Sequence, residues 1–214
     1  PKTRKQVSHW KDYQRFLTWS RALKKREKGF YRISYVRPYN DHYFGAAPVY
    51  NKTPMYKVGY TPAINFKHKP DTADPRLYEL LNVKYVVTIG GLGGSDYKLE
   101  KRFGPISVYR FTRYKTDRLT LEGPGKVRVE TFDPAGAGIT VKVSGASESS
   151  RLILHVANYP NWKASVDGNR LPIESGVLAG KKMWISVPAK NGTIEFRYGM
   201  PAVNILGSLI SWLG

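Results

Sequence analysis

The sequence predicts an α+β protein: a small N-terminal α/β unit, then an antiparallel β-sandwich, with the start of a membrane-spanning helix at the end. Three patterns carry that expectation. Aromatic residues recur at helical spacing in residues 8–28, a short capped helix runs directly into a β-branched strand in residues 74–89, and eight short segments separated by turn residues follow Asp117.

The elements follow in order. Trp10, Tyr13, Phe16, Trp19 (or Leu17) and Leu23 lie on one helical stripe, with Ser8 as N-cap and Gly29 as the stop, which predicts an amphipathic helix within residues 1–29. Residues 31–36 (YRISYV) read as a strand. Residues 37–75 are rich in Pro, Gly, Asn and Tyr without a sustained period and predict a long irregular segment, a length that is uncommon unless the loop is functional or packed. Asp74 is suited to cap and Pro75 to the first helical position, so Pro75 to Asn82 predicts a two-turn helix that enters the strand KYVVTI. GGLGG (90–94) is too flexible to be regular, and a strand pair is expected across Gly104-Pro105. These residues, 30–116, make the predicted α/β subdomain.

Residues 117–199 form the predicted sandwich, from RLTLE, KVRVETF, GITVKVSG, RLILHVAN, WKASV, NRLPI, KMWISVP and GTIEFRYG. Asp167-Gly168 between alternating strands predicts a tight hairpin with positive φ at both positions. Residues 200–214 are an apolar tail in which Ile205, Leu206, Leu209, Ile210, Trp212 and Leu213 suit the beginning of a membrane helix. A terminal helix buried in the soluble fold is the alternative reading of that tail.

Composition narrows the function classes. With 41% apolar and 13% aromatic residues the chain is neither disordered nor collagen-like. The absence of Cys excludes disulfides, thiolate zinc sites and cysteine nucleophiles. His9, His42, His68 and His155 are isolated from partners at metal-ligand spacing, apart from Asp41 beside His42, and no nucleophile elbow, phosphate-binding Lys loop or paired-carboxylate motif is present. Gly91-x-Gly93 is followed by Asp96 where a dinucleotide loop needs its third Gly. No catalytic residue, metal or cofactor is therefore expected of this chain. Asn51 and Asn191 begin glycosylation sequons, which matter only in a compartment with the transferase.

The net charge of +19 points to an anionic partner, and sixteen basic against three acidic residues fall within positions 1–70. On the first helix, Lys11, Arg15, Arg21, Lys24 and Lys25 are the candidate contacts to anionic lipid or phosphate. In the sandwich, Tyr159 and Trp162, flanked by Asn158, Lys163 and Asp167, are the candidate carbohydrate contacts, because rings take apolar sugar faces while amides and carboxylates take hydroxyls. Trp162 as a core anchor between sheets is the competing reading.

Three stretches carry a family resemblance. Leu80-Leu81-Asn82-Val83-Lys84-Tyr85-Val86-Val87, the run Asn158 to Ile173 (NYPNWKASVDGNRLPI) and the run Val187 to Tyr198 (VPAKNGTIEFRY) are similar to "LLNVKYVV", "YPGWKAYVDGKEVPI" and "VPAGEHTVEFRY". Together they resemble the C-terminal extracytoplasmic region of YfhO-like polytopic membrane proteins, of the GT-C type of lipid-linked-sugar glycosyltransferases. Asn161 stands where Gly is common, and Lys190-Asn191 replaces a Gly-centred turn. The resemblance implies a non-catalytic domain on the extracytoplasmic face of a membrane. That domain would support sugar transfer from a lipid-linked donor to a cell-surface glycan, lipid or protein. Its partners would be the bilayer, a lipid-linked sugar or glycan, and a transmembrane part that bears the catalytic carboxylate. The uncharged residues 199–214 and the missing initiator Met make a fragment the expected status of the chain. Two other readings stay open: a basic nucleic-acid-binding module, less favoured, and a stand-alone secreted carbohydrate-binding sandwich.

Overall fold

A computed structural model describes residues 10–36, 47, 53–56, 67–70, 73–132 and 138–199, the Lys24 side chain excepted. The expected Ser8 cap, most of the 37–75 segment and the apolar tail lie outside the described residues. The chain divides into two compact units, Pro1–Arg118 and Leu119–Gly214. The helix expected within residues 1–29, described from Trp10 to Arg26, thus falls in the same unit as the α/β subdomain. The expected class stands: an α-helix and a mixed sheet in the first unit, and a two-sheet antiparallel sandwich in the second.

In the first unit, α1 (Trp10–Arg26) buries Tyr13, Phe16, Ser20 and Leu23, four positions that fall on one face at 100° per residue. That face packs on a sheet of order β1-β2-β4-β3, built from β1 (Arg32–Tyr35), β2 (Val83–Ile89), β3 (Tyr97–Phe103) and β4 (Ile106–Phe111). Ile33, Tyr85, Val87, Phe103, Ile106 and Val108 supply the sheet's half of this core. Phe16 meets Phe103 edge-on at 6.0 Å, the geometry that ring quadrupoles favour. Strand alternation sends Ser34 to the opposite face, where its hydroxyl is 2.8 Å from that of Tyr78 on α2 (Pro75–Leu80).

Helix α2 begins as its sequence requires. Asp74 Oδ1 accepts from Arg76 N at 2.8 Å and Pro75 occupies the first turn. Its end is set by Asn82, whose φ of 55° turns the chain into β2. β1 and β2 run parallel, so the connection between them is a crossover carrying α2, whereas β2, β4 and β3 pair antiparallel.

In the second unit, one sheet has the order β10-β9-β13-β7-β6 and the other β11-β12-β8-β5. The first comprises β6 (Lys126–Phe132), β7 (Gly138–Ser144), β9 (Trp162–Val166), β10 (Asn169–Leu171) and β13 (Gly192–Tyr198). The second comprises β5 (Leu119–Glu122), β8 (Arg151–Leu154), β11 (Glu174–Leu178) and β12 (Lys181–Pro188). Alternate residues face inward from both: Ile139, Val141, Val143, Ile194 and Phe196 against Leu152, Leu154, Ile185 and Val187. The Asp167-Gly168 turn has φ values of 45° and 82°, the positive pair that a type I′ hairpin needs and that Asp and Gly tolerate.

One strand, β11, was absent from the sequence expectation because Glu174-Ser175-Gly176 shows no alternation. Its ladder with β12 holds it, and Gly176 stands opposite Trp184 with the indole lying across its backbone. A Cβ at 176 would fall inside the indole. The position has no positive φ, so a Gly176→Ala change acts by collision alone and lifts Trp184 toward water. The expected result is a loss of about 1–2 kcal/mol, measured as a lower urea midpoint for this unit, with a red shift in tryptophan emission.

Candidate functional site

The outward face of α1 is cationic. Lys11, Arg15, Arg21 and Lys25 are exposed, as is Arg26, and Gln14, Thr18 and Ala22 lie between them. Burial of Tyr13, Phe16, Ser20 and Leu23 on the sheet fixes the helix rotation, so these cations have no other direction to point. Lys24 is within the helix, and its side chain lies outside the described residues. The helix contributes one carboxylate, Asp12, 3.7 Å from Arg15. At 1.5 Å per residue the row from Lys11 to Lys25 spans about 21 Å. Trp10, 45% exposed, stands at its N-terminal end. On the neighbouring sheet, the edge strand β3 exposes Lys98, Lys101 and Arg102.

Just after α1, Glu27 forms an ionic cluster with β2 and β4. Its carboxylate accepts from Lys84 Nζ at 2.5 Å, from the Tyr85 hydroxyl at 2.7 Å and from Arg110 Nη2 at 3.4 Å. Burial pushes Glu27 up, but the hydrogen bonds from Lys84 and Tyr85 and the charges of Lys84 and Arg110 bring it below its ordinary value. Burial and the neighbouring carboxylate push the Tyr85 hydroxyl well up. A carboxylate held ionised by three donors is a poor proton shuttle near neutral pH, because its value lies far from the working range. The cluster ties the end of α1 to β2 and β4.

The sandwich separates the five candidate carbohydrate contacts. Tyr159 and Trp162 come together at one end of β9, and Tyr198 joins them from the paired position on β13, its ring 5.3 Å from that of Trp162 and steeply tilted. Burial, then the Tyr198 hydroxyl, raises Tyr159 above its ordinary value. Trp162 is partly buried against the sandwich core, while Tyr198 is 38% exposed, so the cluster is core on one side and surface on the other. Lys163 is exposed opposite Arg197. Asn158 and Asp167 have structural engagements. Asn158 Nδ2 donates to Ser175 Oγ at 2.5 Å, and Asp167 Oδ1 accepts from Thr193 N at 3.0 Å. Asp167 follows the far end of β9, about 16 Å from Trp162 by strand rise. Tyr198 was missed because its partnership with Trp162 depends on β9–β13 register, which is a non-local property.

Among the described residues no group of three or more His, Asp or Glu is placed to hold a metal ion. No helix among them is long and apolar enough to cross a membrane. Comparison with protein-family models, with curated protein sequences and with solved structures finds no match to this chain in any of the three.

Proposed function

We propose that this chain is a non-catalytic extracytoplasmic domain of a membrane-embedded GT-C-like glycosyltransferase. It supports transfer of sugar from a lipid-linked donor to a cell-surface acceptor. The first unit lies against anionic headgroups through the outward face of α1. The observation that carries the reading is that Lys11, Arg15, Arg21 and Lys25 share the face opposite the buried stripe. Each such cation near an anionic leaflet contributes about 1 kcal/mol, so four together exceed what thermal motion disrupts. The three sequence stretches that resemble the family support the rest of the reading. In it, the partly exposed Trp162 and Tyr198 rings with Tyr159 are the surface offered to a glycan.

Vesicle sedimentation tests the membrane contact. The chain is expected to bind phosphatidylglycerol vesicles at low salt and to release them at high salt, with little affinity for phosphatidylcholine. Replacing Lys11, Arg15, Arg21 and Lys25 together by Gln is expected to lower the affinity at least about 100-fold. Equal binding to neutral vesicles, or full retention by the fourfold variant, overturns the reading. Tighter binding to duplex DNA than to anionic vesicles at matched salt would assign the same cations to nucleic acid instead.

A further inference from the structure

Burial alternates along the later part of β12, with Met183, Ile185 and Val187 turned into the sandwich, so Trp184 and Ser186 lie on the outer face of the β11-β12-β8-β5 sheet. The point that a Cβ at Gly176 would occupy falls on the Trp184 indole, closest to Cε2, with Nε1 and Cδ2 next. Cε2 is bonded to ring atoms on all three sides within the plane. A direction lying in that plane would strike one of those neighbours as closely as Cε2 itself, so Gly176 meets the ring through its face. One face of the indole thus rests on the Gly176 backbone and the other is turned away from the sheet. The side chain is only partly buried, and among the described residues no second ring or cation stacks on it.

A polar group stands beside this ring. Ser186 is paired with Glu174 on β11 and with Ile153 on β8. Glu174 and Arg151 form an ion pair although β12 separates their strands, so the pair bridges the outer face over β12. Residues two apart on a strand are separated by about 7 Å, which places Ser186 and the ion pair within reach of a sugar seated on the indole. The Glu174 side chain is 58% exposed and that of Arg151 32%, so each keeps an edge open to a ligand. Charge selects the ligand. Glu174 and Arg151 cancel, and Trp184, Ser186 and Ile153 are neutral, so this patch carries no net charge on a chain of +19. A polyanion gains little there, whereas an uncharged, hydroxyl-rich molecule complements both the ring and the balanced pair.

We propose that Trp184, with Ser186, Glu174 and Arg151, binds an uncharged pyranose residue of a glycan. The apolar C–H face of the sugar covers the open face of the indole. One sugar hydroxyl donates to the Glu174 carboxylate and another accepts from the Arg151 guanidinium. Gly176 holds the platform flat, because any Cβ there would tilt the ring off the sheet. The site is separate from Trp162 and Tyr198, which pair across β9 and β13 of the other sheet, and it depends on neither those rings nor the membrane contact.

Calorimetric titration and saturation-transfer NMR of the full chain test it, with cellohexaose and mannohexaose as neutral probes and an oligogalacturonate of equal length as the charged one. At least one neutral probe is expected to bind, and more tightly than the oligogalacturonate. Trp184→Ala is expected to weaken that binding at least about tenfold, and Trp184→Tyr, which keeps a smaller ring, by less. Gly176→Ala, which retains the indole but lifts it, should weaken binding as well. Glu174→Gln and Arg151→Gln are each expected to cost about fivefold to tenfold, since each leaves one sugar hydroxyl without its charged partner. The fourfold Gln variant of α1 should bind the neutral probe as the wild type does, which keeps failure here distinct from failure of the membrane contact. Absence of binding to both neutral probes overturns the proposal. So does a preference for the oligogalacturonate, which would assign recognition to a cation such as Lys182. Binding that survives Trp184→Ala and is lost in Trp162→Phe places the sugar on the other sheet and also overturns it. Should Trp184→Ala fail to fold, Trp184→Tyr and the two Gln variants decide the matter.

Discussion

Asn82→Ala is expected to destabilise the N-terminal unit by about 3–4 kcal/mol. Two independent losses add. Asn82 is fully buried with φ at 55°, a left-handed conformation that Asn tolerates and that costs Ala about 1 kcal/mol or more. Its Nδ2 donates to Lys115 O at 3.0 Å and to Asp117 O at 2.9 Å, and Ala leaves both carbonyls without that donor. Each lost bond costs about 1–1.5 kcal/mol. Asn82→Gly restores the backbone freedom and forfeits only the bonds, so about 2–3 kcal/mol is expected. Asn82→Asp is expected to be worse than either, because a buried carboxylate would face two carbonyl oxygens. Urea unfolding of the three variants checks the order Gly, Ala, Asp; an Ala variant as stable as the Gly variant would show that the backbone conformation carries no cost.

The same residue shows how far the sequence could be read. Asn82 was legible as the end of a short helix before a strand, because Asp74, Pro75 and the β-branched run after it are local signals. Its side-chain bonds to residues more than thirty positions away were not. The stripe of α1 and the Asp167-Gly168 turn were readable for the same reason, since helical periodicity and turn chemistry need only neighbours in sequence. β11 was not, because what makes Ser175-Gly176 a strand is the indole of Trp184 above it and an ion pair between Glu174 and Arg151. At the candidate sites the outcome divides in the same way. The cations of α1 follow from the helical stripe, whereas Asn158 and Asp167 have residue types suited to sugar hydroxyls but are engaged by Ser175 and the backbone of Thr193. Residue type suggests chemistry; register decides whether the group is available for it.

Glu27→Ala carries the second large effect, an expected loss of about 3 kcal/mol. The side chains of Glu27 and Lys84 are only 17% and 12% exposed, so solvent screens their 2.5 Å contact weakly. Removing the carboxylate leaves the Lys84 ammonium facing the rings of Tyr114 and Tyr31 at 4.8 and 5.8 Å, which replace a full negative charge poorly. The same change deprives the Tyr85 hydroxyl of its acceptor. The double variant Glu27→Leu with Lys84→Met should return to within about 1 kcal/mol of wild type, since it removes both desolvated charges together and fills their volume. Acid provides the complementary test. Glu27 is held below its ordinary value of 4.5, so its contribution is complete above that value and is lost as pH falls through the lower folded-state value. Asp74, lowered chiefly by its hydrogen bond from Arg76, adds its own acid limb in both proteins. The stability gap between wild type and Glu27→Gln should therefore be constant near neutral pH and shrink below 4.5. A gap that stays constant into acid would locate the value of this cluster in its hydrogen bonds rather than its charge. In that case the double variant would lose stability instead of recovering it, because Leu and Met cannot reproduce the hydrogen bond that orients the Tyr85 ring between α1 and the sheet.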